Sequence, residues 1–375
     1  MRILRVAQDI HPDVLGGGAY HAHAMSRDQA TMGHDVRVLT ISPQATVSST
    51  ERRDGYELRR YRPLAAPFGM GISIDLADVL RDSDDFDVVH AHSHVYYASN
   101  VAAALGTFTE TPLAVTCHGL HSQSIPHWVS KMHLGTVGSL TYRLADIVFC
   151  YTDSERARLR ELGVDGPIAV VSNGIDVERF SPEGSVYEPM ERRDGPTLLF
   201  VGRLEPGKRP DVALTVVEQV RTAFPDVTLY VCGDGERRGD IERAAVQQGI
   251  EEHVEFLGTV PYEDMPSLYR GADVFLLPSL TEGFPRTIME SLGCETPVVA
   301  SALDQTTSLL ERTGYAVEAG DVEQFAAAVE ALLDEEAERR RLGRRGREIV
   351  SSEYTWRETV AETTSRLEQL VEDDA

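Results

Sequence analysis

Two charged loops and one run of histidines hold most of the chemistry available to this chain. Leu280-Thr-Glu-Gly-Phe-Pro-Arg-Thr-Ile-Met-Glu290 lies between two apolar runs, Val274 to Leu277 and Pro297 to Ala300. That pattern predicts a strand, a loop and a helix. Pro285 suits a first helical position, which would leave the amides of Arg286, Thr287 and Ile288 pointing out of the helix start as an anion site. Glu282 would sit in the loop and Glu290 on the second turn. A carboxylate repels phosphate, so this pair suits sugar hydroxyls. The alternative is a helix cap with an Arg286–Glu290 surface pair at i,i+4.

The second loop is Val201-Gly-Arg-Leu-Glu-Pro-Gly-Lys-Arg-Pro210, where Arg203 and Lys208 suit a diphosphate clamp. Lys131 and Lys208 are the only lysines among 36 basic residues, so a compact ammonium here reads as a requirement. A solvated loop charge is the alternative. In the first half, Gly16-Gly-Gly-Ala-Tyr-His21 follows a predicted strand and lets backbone amides approach an anion. It lacks the third glycine of a dinucleotide fingerprint, and a plain tight turn remains open. His90-Ala-His-Ser-His94 would put three imidazoles on one strand face if it stays extended, which invites a metal reading or a polar cleft wall. His118, in Thr116-Cys-His-Gly119, falls just past a strand, where α/β sheets place functional side chains; a loop or capping histidine is the alternative.

Strand-like and helical runs alternate along the chain, which calls for parallel sheets covered on both faces. Expected strands are Ile3–Ala7, Val36–Thr40, Val88–His92, Leu113–Thr116, Ile147–Cys150 and Ile168–Val171, then Thr197–Val201, Thr228–Cys232, Val254–Leu257, Val274–Leu277 and Pro297–Ala300. Helices are expected at Ala19–Met32 and Asp153–Leu162, and everywhere beyond Val322. The polar stretch from Glu183 to Pro196 is the expected domain boundary.

The formal charge of −24 excludes a general nucleic-acid binder. Arginine-dominated cations and acids spread over helix surfaces fit a cytoplasm with molar salt, although a merely acidic protein is the alternative. No apolar run reaches the roughly 18 to 20 residues of a membrane span, and the first residues read as a strand, not a signal peptide, so a cytoplasmic location is expected. Cys117, Cys150, Cys232 and Cys294 are far apart and adjoin apolar runs, as buried thiols do. Between Val88 and Ala145 Glu110 is the sole acid, where an even spread predicts about nine.

The ordered set of motifs resembles the retaining GT-B glycosyltransferases of the family-4 type. It comprises the glycines before the first helix, Gly33-His-Asp-Val, Thr-Cys-His-Gly, Ser172-Asn-Gly-Ile-Asp, Gly-Arg-Leu-x-x-x-Lys, Cys232-Gly-Asp-Gly235, Pro278-Ser and Glu-Gly-Phe-Pro with Glu290. The resemblance covers essentially the whole chain. It implies two doubly wound Rossmann-like domains facing a cleft, residues 1–180 with the final helix 356–375 crossing back, and 181–355. It further implies that Glu282 orients the donor sugar, Glu290 holds ribose hydroxyls, Arg203 and Lys208 hold the diphosphate, Gly16 and Gly17 reach the sugar phosphate, and His118 lies near the reacting carbon. Gly233, Gly283, Phe284, Pro285, Arg286, Thr287 and Ile288 complete the expected donor side. Pro285 and Arg286 depart from the usual glycine and apolar residue, and Arg286 is expected to supplement the phosphate contacts.

The activity expected is sugar transfer with retention from a nucleotide diphosphate sugar to an acceptor hydroxyl, with no metal and no cofactor. His21, His92, His121, Trp128 and Lys131 are expected on the acceptor side, in a segment kept free of carboxylates for an acceptor that is anionic, lipid-linked or presented at an anionic membrane surface, with peripheral contact at the inner membrane face as the accompanying expectation; a plain buried or catalytic lining is the alternative. Alternatives are a nucleotide-sugar epimerase, a metallohydrolase using His90, His92 and His94, and an inert carbohydrate binder.

Overall fold

The computed structural model describes residues 1–42, 49–67, 71–81, 85–120, 127–192 and 194–374. They fall into two compact units, Met1–Ser172 with Glu358–Ala375, and Asn173–Arg357.

The first unit holds an eight-stranded sheet in the order β3-β4-β2-β1-β5-β6-β7-β8. Its strands are β1 Arg2–Val6, β2 Asp35–Ile41, β3 Ser49–Arg53, β4 Tyr56–Tyr61, β5 Val88–His92, β6 Leu113–Thr116, β7 Ile147–Cys150 and β8 Ile168–Val170. Alternate residues of β1 face opposite layers: Ile3 packs with Val36, Val88 and Leu367, whereas Leu4 and Val6 pack with Leu39, Val89 and Val115. Both faces are therefore covered, as continuous apolar strands require. The last helix, Trp356–Asp374, contributes Leu367 to this core, and Thr364 Oγ1 accepts from Gln29 Nε2 at 3.0 Å.

One part of the first sheet differs from the sequence expectation. The antiparallel pair β3–β4 was not among the expected strands; its outer strand Ser-Thr-Glu-Arg-Arg is polar and exposed up to the partly buried Arg53. Its charge suits a sheet edge, where it discourages pairing with another chain.

The second unit holds six parallel strands in the order β11-β10-β9-β12-β13-β14. They are β9 Thr197–Val201, β10 Thr228–Cys232, β11 Val254–Gly258, β12 Val274–Leu277, β13 Val298–Ser301 and β14 Gly314–Val317. The short β14 was also unexpected; it adds an edge beside β13. In each sheet the chain builds outward on one side and then on the other, reversing between β1 and β5 and between β9 and β12. Such a reversal leaves a crevice outside the carboxyl ends of the two central strands. Among the described residues no helix is long and apolar enough to cross a membrane.

Candidate active site

In the second domain, β9 and β12 deliver the two charged loops to one such crevice. The loops are tied at the backbone, because Leu280 N donates to Gly207 O at 2.8 Å. That tie brings Lys208 Nζ to 2.6 Å from Glu282 Oε1, in a pair whose side chains are only 13% and 7% exposed. Gln305 Nε2 holds the Glu282 carbonyl. Arg203, on the same loop as Lys208, is half exposed and has Nη1 2.9 Å from Glu205 Oε1. Gly233 positions this loop: at φ 137° its missing side chain is essential, since a Cβ would lie 2.0 Å from Gly202 O. The neighbouring strand-end loop can then press against it, and Leu204 N donates to Asp234 O at 2.9 Å.

The corner at Gly283 and Phe284 leads into the helix Arg286–Gly293. Pro285 is the residue before the helix, not its first residue, because its ψ of 117° is extended. The start is thus shifted by one, and the Ile288 amide, expected free, donates to Pro285 O at 3.3 Å. Phe284 is buried and stacks on Tyr354, with ring centroids 5.5 Å apart. Two hydroxyls in the segment, Ser279 Oγ and Thr287 Oγ1, are buried without a protein partner. Buried hydroxyls ordinarily find one, so the segment has polar capacity to spare.

Arg286 and Glu290 do pair at i,i+4, but inside the domain: Nε lies 3.7 Å from Oε1, with both side chains 5% exposed. Arg286, expected beside the phosphates, instead turns its guanidinium inward. Nη1 donates to Gly174 O at 2.9 Å and to Asn173 Oδ1 at 3.3 Å, and Nη2 donates to Tyr262 Oη at 3.3 Å. Trp356 lies under it, 5.5 Å from ring centroid to Cζ. The physical reason is burial, since a cation this enclosed requires carbonyl and carboxylate partners. Glu290 accepts from Tyr262 at 2.8 Å and from Tyr269 at 3.0 Å. Burial raises its pKa above the ordinary carboxylate range, against the opposing charge of Arg286 and the two tyrosine hydrogen bonds.

In the first domain the strand ends carry histidines. His118 follows β6, and its two ring nitrogens are both engaged: Nε2 is 2.9 Å from His92 Nδ1 and Nδ1 is 2.6 Å from Tyr151 Oη. His21, on the helix Gly17–Thr31, packs its ring edge-on against His118 at 5.1 Å and lies 5.8 Å from His92. Gly16 precedes that helix and Gly17 opens it. A Cβ on the neighbouring Gly18 would stand 3.8 Å from the His118 ring, so the glycine turn and the imidazole are in contact range. Burial lowers the His118 pKa to about 4, and lowers that of His92 well below the usual value, helped by His90 and His118. His92 and His118 are therefore neutral near pH 7 and meet their neighbours as hydrogen-bonding groups, not as cations.

Two family models match the chain in sequence: Glycosyltransferase Family 4 over residues 15–179 and Glycosyl transferases group 1 over residues 188–349. A glycogen synthase of Mycobacterium tuberculosis is 30% identical over 98% of this chain and 94% of its own length. The chain is a family-4 glycosyltransferase. A phosphatidyl-myo-inositol mannosyltransferase of Mycobacterium leprae is likewise 30% identical, over 92% of this chain and 90% of the relative. Among solved structures, a sucrose-phosphate synthase from Thermosynechococcus elongatus superimposes with a TM-score of 0.84 at 22% identity over 98% of both chains. HepE of Anabaena in complex with UDP-glucose gives 0.80 at 20% identity, over 98% of this chain and 100% of that one. These likenesses establish the GT-B fold.

Other expectations for this glycosyltransferase fall differently. His90, His92 and His94 do not form one ligand set. The strand ends at His92, and Ser93 at φ 65° turns the chain. His90 is enclosed by Arg5 Nη2 at 3.3 Å and Thr116 Oγ1 at 2.7 Å, whereas His94 Nδ1 meets Tyr142 Oη at 2.7 Å. Among the described residues no three His, Cys, Asp or Glu side chains are arranged to hold a metal ion. Trp128 and Lys131 are exposed on the outer side of their helix, and no ring contact among the described residues joins Trp128 to the histidine cluster. His121 lies outside the described residues.

Sequence reasoning missed Tyr151, Tyr262, Tyr269 and Asn173. Tyr151 was within reach: it follows β7, and the β6–β7 register pairs Thr116 with Phe149, which sets Tyr151 level with His118. The two tyrosines that hold Glu290 come from a turn and a short helix without any motif to mark them.

Proposed function

We propose that this glycosyltransferase moves a sugar from a nucleotide diphosphate sugar to an acceptor hydroxyl with retention at the anomeric carbon and without a metal ion, and that the acceptor is anionic or lipid-linked. The observation that carries the reading is the Lys208–Glu282 pair at the carboxyl ends of β9 and β12. An ammonium has three donors, so Lys208 can keep Glu282 and still bind diphosphate oxygens. Arg203 on the same loop adds a planar fork for the departing phosphate, and fixed cations at a developing charge are the largest catalytic resource such a site has. Glu282, oriented by Lys208, faces sugar hydroxyls. Glu290 fixes the helix start through Tyr262 and Tyr269 and is the carboxylate nearest in kind to a ribose partner. In the first domain His118, neutral and aligned by Tyr151 and His92, serves the sugar and acceptor hydroxyls. A sugar hydroxyl must share a His118 nitrogen with one of those two partners, which favours donation to the ring edge that is already polarised.

Relatives that act on phosphatidylinositol and on diphosphoundecaprenol-linked sugars, at 30% and 27% identity, support the acceptor class. The experiment is turnover of Lys208→Ala and Arg203→Ala with UDP-, GDP- and ADP-sugars, using the sugar that gives the largest thermal shift. Each substitution is expected to lower kcat on the order of a hundredfold. Near-normal kcat in either, or donor consumption without any acceptor as an epimerase would show, contradicts the proposal.

A further inference from the structure

The segment expected on the acceptor side also has an exposed outer surface. His127–His133 runs on without a break through the π-turn Leu134–Gly138 into Ser139–Arg143, a continuous helix of 17 residues and about 25 Å. Its inner side is fixed to the first domain: Ser130, Leu134, Gly138 and Tyr142 are buried. A Cβ on Gly138 would lie 2.6 Å from the His94 ring, and His133 Nε2 reaches His94 O at 3.0 Å. Its outer side carries Trp128, Met132, Val137 and Leu140 at 69%, 59%, 48% and 48% exposure. These are four of the eleven large apolar side chains exposed among the described residues. Thr136, also exposed, donates Oγ1 to Met132 O at 2.9 Å and so stands one turn below Met132 with its hydroxyl turned back to the helix.

Charge says what the ridge fits. Lys131 and Arg143 are exposed, and the helix contains no Asp or Glu. From Thr111 to Ala145 no acid occurs, in a chain of net charge −24. An anionic surface repels the acid-coated parts of this protein and is not repelled by this acid-free face, so the acid coat would help to orient the approach. A helix with an apolar stripe and flanking cations, too short and too polar to span, lies in the plane of a membrane interface.

We infer that the outer face of the helix 127–143 docks on an anionic lipid surface, with Trp128, Met132, Val137 and Leu140 entering the headgroup boundary and Lys131 and Arg143 meeting lipid phosphates. This deepens the acceptor reading above. Vesicle binding is measured with neither donor nor acceptor present, so failure of one leaves the other standing.

The test is co-sedimentation with phosphatidylglycerol vesicles and with phosphatidylcholine vesicles, at the lowest salt at which the protein stays folded. Wild type is expected to bind phosphatidylglycerol more tightly than phosphatidylcholine. Met132→Ser with Leu140→Ser should weaken both on the order of tenfold, whereas Lys131→Glu should weaken only phosphatidylglycerol binding. Melting temperatures unchanged from wild type would show that these exposed positions leave the fold intact; if either variant unfolds, Val137→Ser replaces it. No vesicle binding by wild type, or equal binding by all variants, overturns the inference. So does conversion of a dimer to a monomer by Met132→Ser with Leu140→Ser, because the ridge would then belong to a second copy of the chain.

Discussion

Lys208 and Glu282 form a nearly enclosed ion pair between two loops that have otherwise little reason to bury charge. Removing one member of such a pair leaves the other uncompensated, which costs about 3 kcal/mol or more. Lys208→Ala is therefore expected to lose stability as well as turnover, and the two effects can be separated. Lys208→Met combined with Glu282→Gln removes both charges, so denaturant unfolding should show most of the stability restored while kcat stays as low as in Lys208→Ala. Recovery of kcat together with stability would mean that the pair only holds the loops. Arg203 provides the contrast: half exposed and paired with Glu205, its loss should change stability little.

The elements were legible in the sequence wherever burial on both faces produced an apolar run. Val88–His92, Leu113–Thr116, Ile147–Cys150, Thr197–Val201, Thr228–Cys232 and Val274–Leu277 stand in the structure with the expected bounds. The hairpin β3–β4 was missed because its charged outer strand has no apolar pattern, although Asp54-Gly55, with both φ values positive, is a hairpin turn signal in itself. At the site, loops and strand ends located Lys208, Glu282 and His118. Partners such as Tyr151 depend on cross-strand register, and the inward turn of Arg286 depends on carbonyls 112 residues away, which no local pattern encodes.

The buried histidines also make an element-scale prediction about pH. Burial lowers His23 and His118 to about 4, and His90 and His92 well below 6.5. Each binds a proton more readily unfolded, so its contribution falls as pH drops from about 6.5 toward 4. Burial instead raises Glu155 to about 7 and raises Glu290, so those two favour the fold at low pH and lose that contribution as pH rises. Four imidazoles outnumber two carboxylates. In molar salt, the melting temperature is expected to rise by several degrees between pH 4.5 and 6.5; a flat or falling profile would show that the histidines are not buried neutral.

For the whole molecule, 60 acids against 36 bases on 375 residues imply strong self-repulsion when salt is low. If the coat is an adaptation to high ionic strength, moving the protein to about 0.1 M salt, where the Debye length reaches roughly 10 Å, should lower its melting temperature or abolish activity. An unchanged melting temperature and full activity there would refute it. The central claim, however, is the reaction: two domains of one GT-B chain, one presenting cations to a leaving diphosphate and the other neutral imidazoles to hydroxyls. The most direct test is proton NMR of the first-formed product from the sugar nucleotide that binds, recorded with chelator present. The account predicts transfer at an undiminished rate, with the anomeric coupling constant of the product matching the donor's configuration; an inverted product, or transfer abolished by chelator, would contradict it.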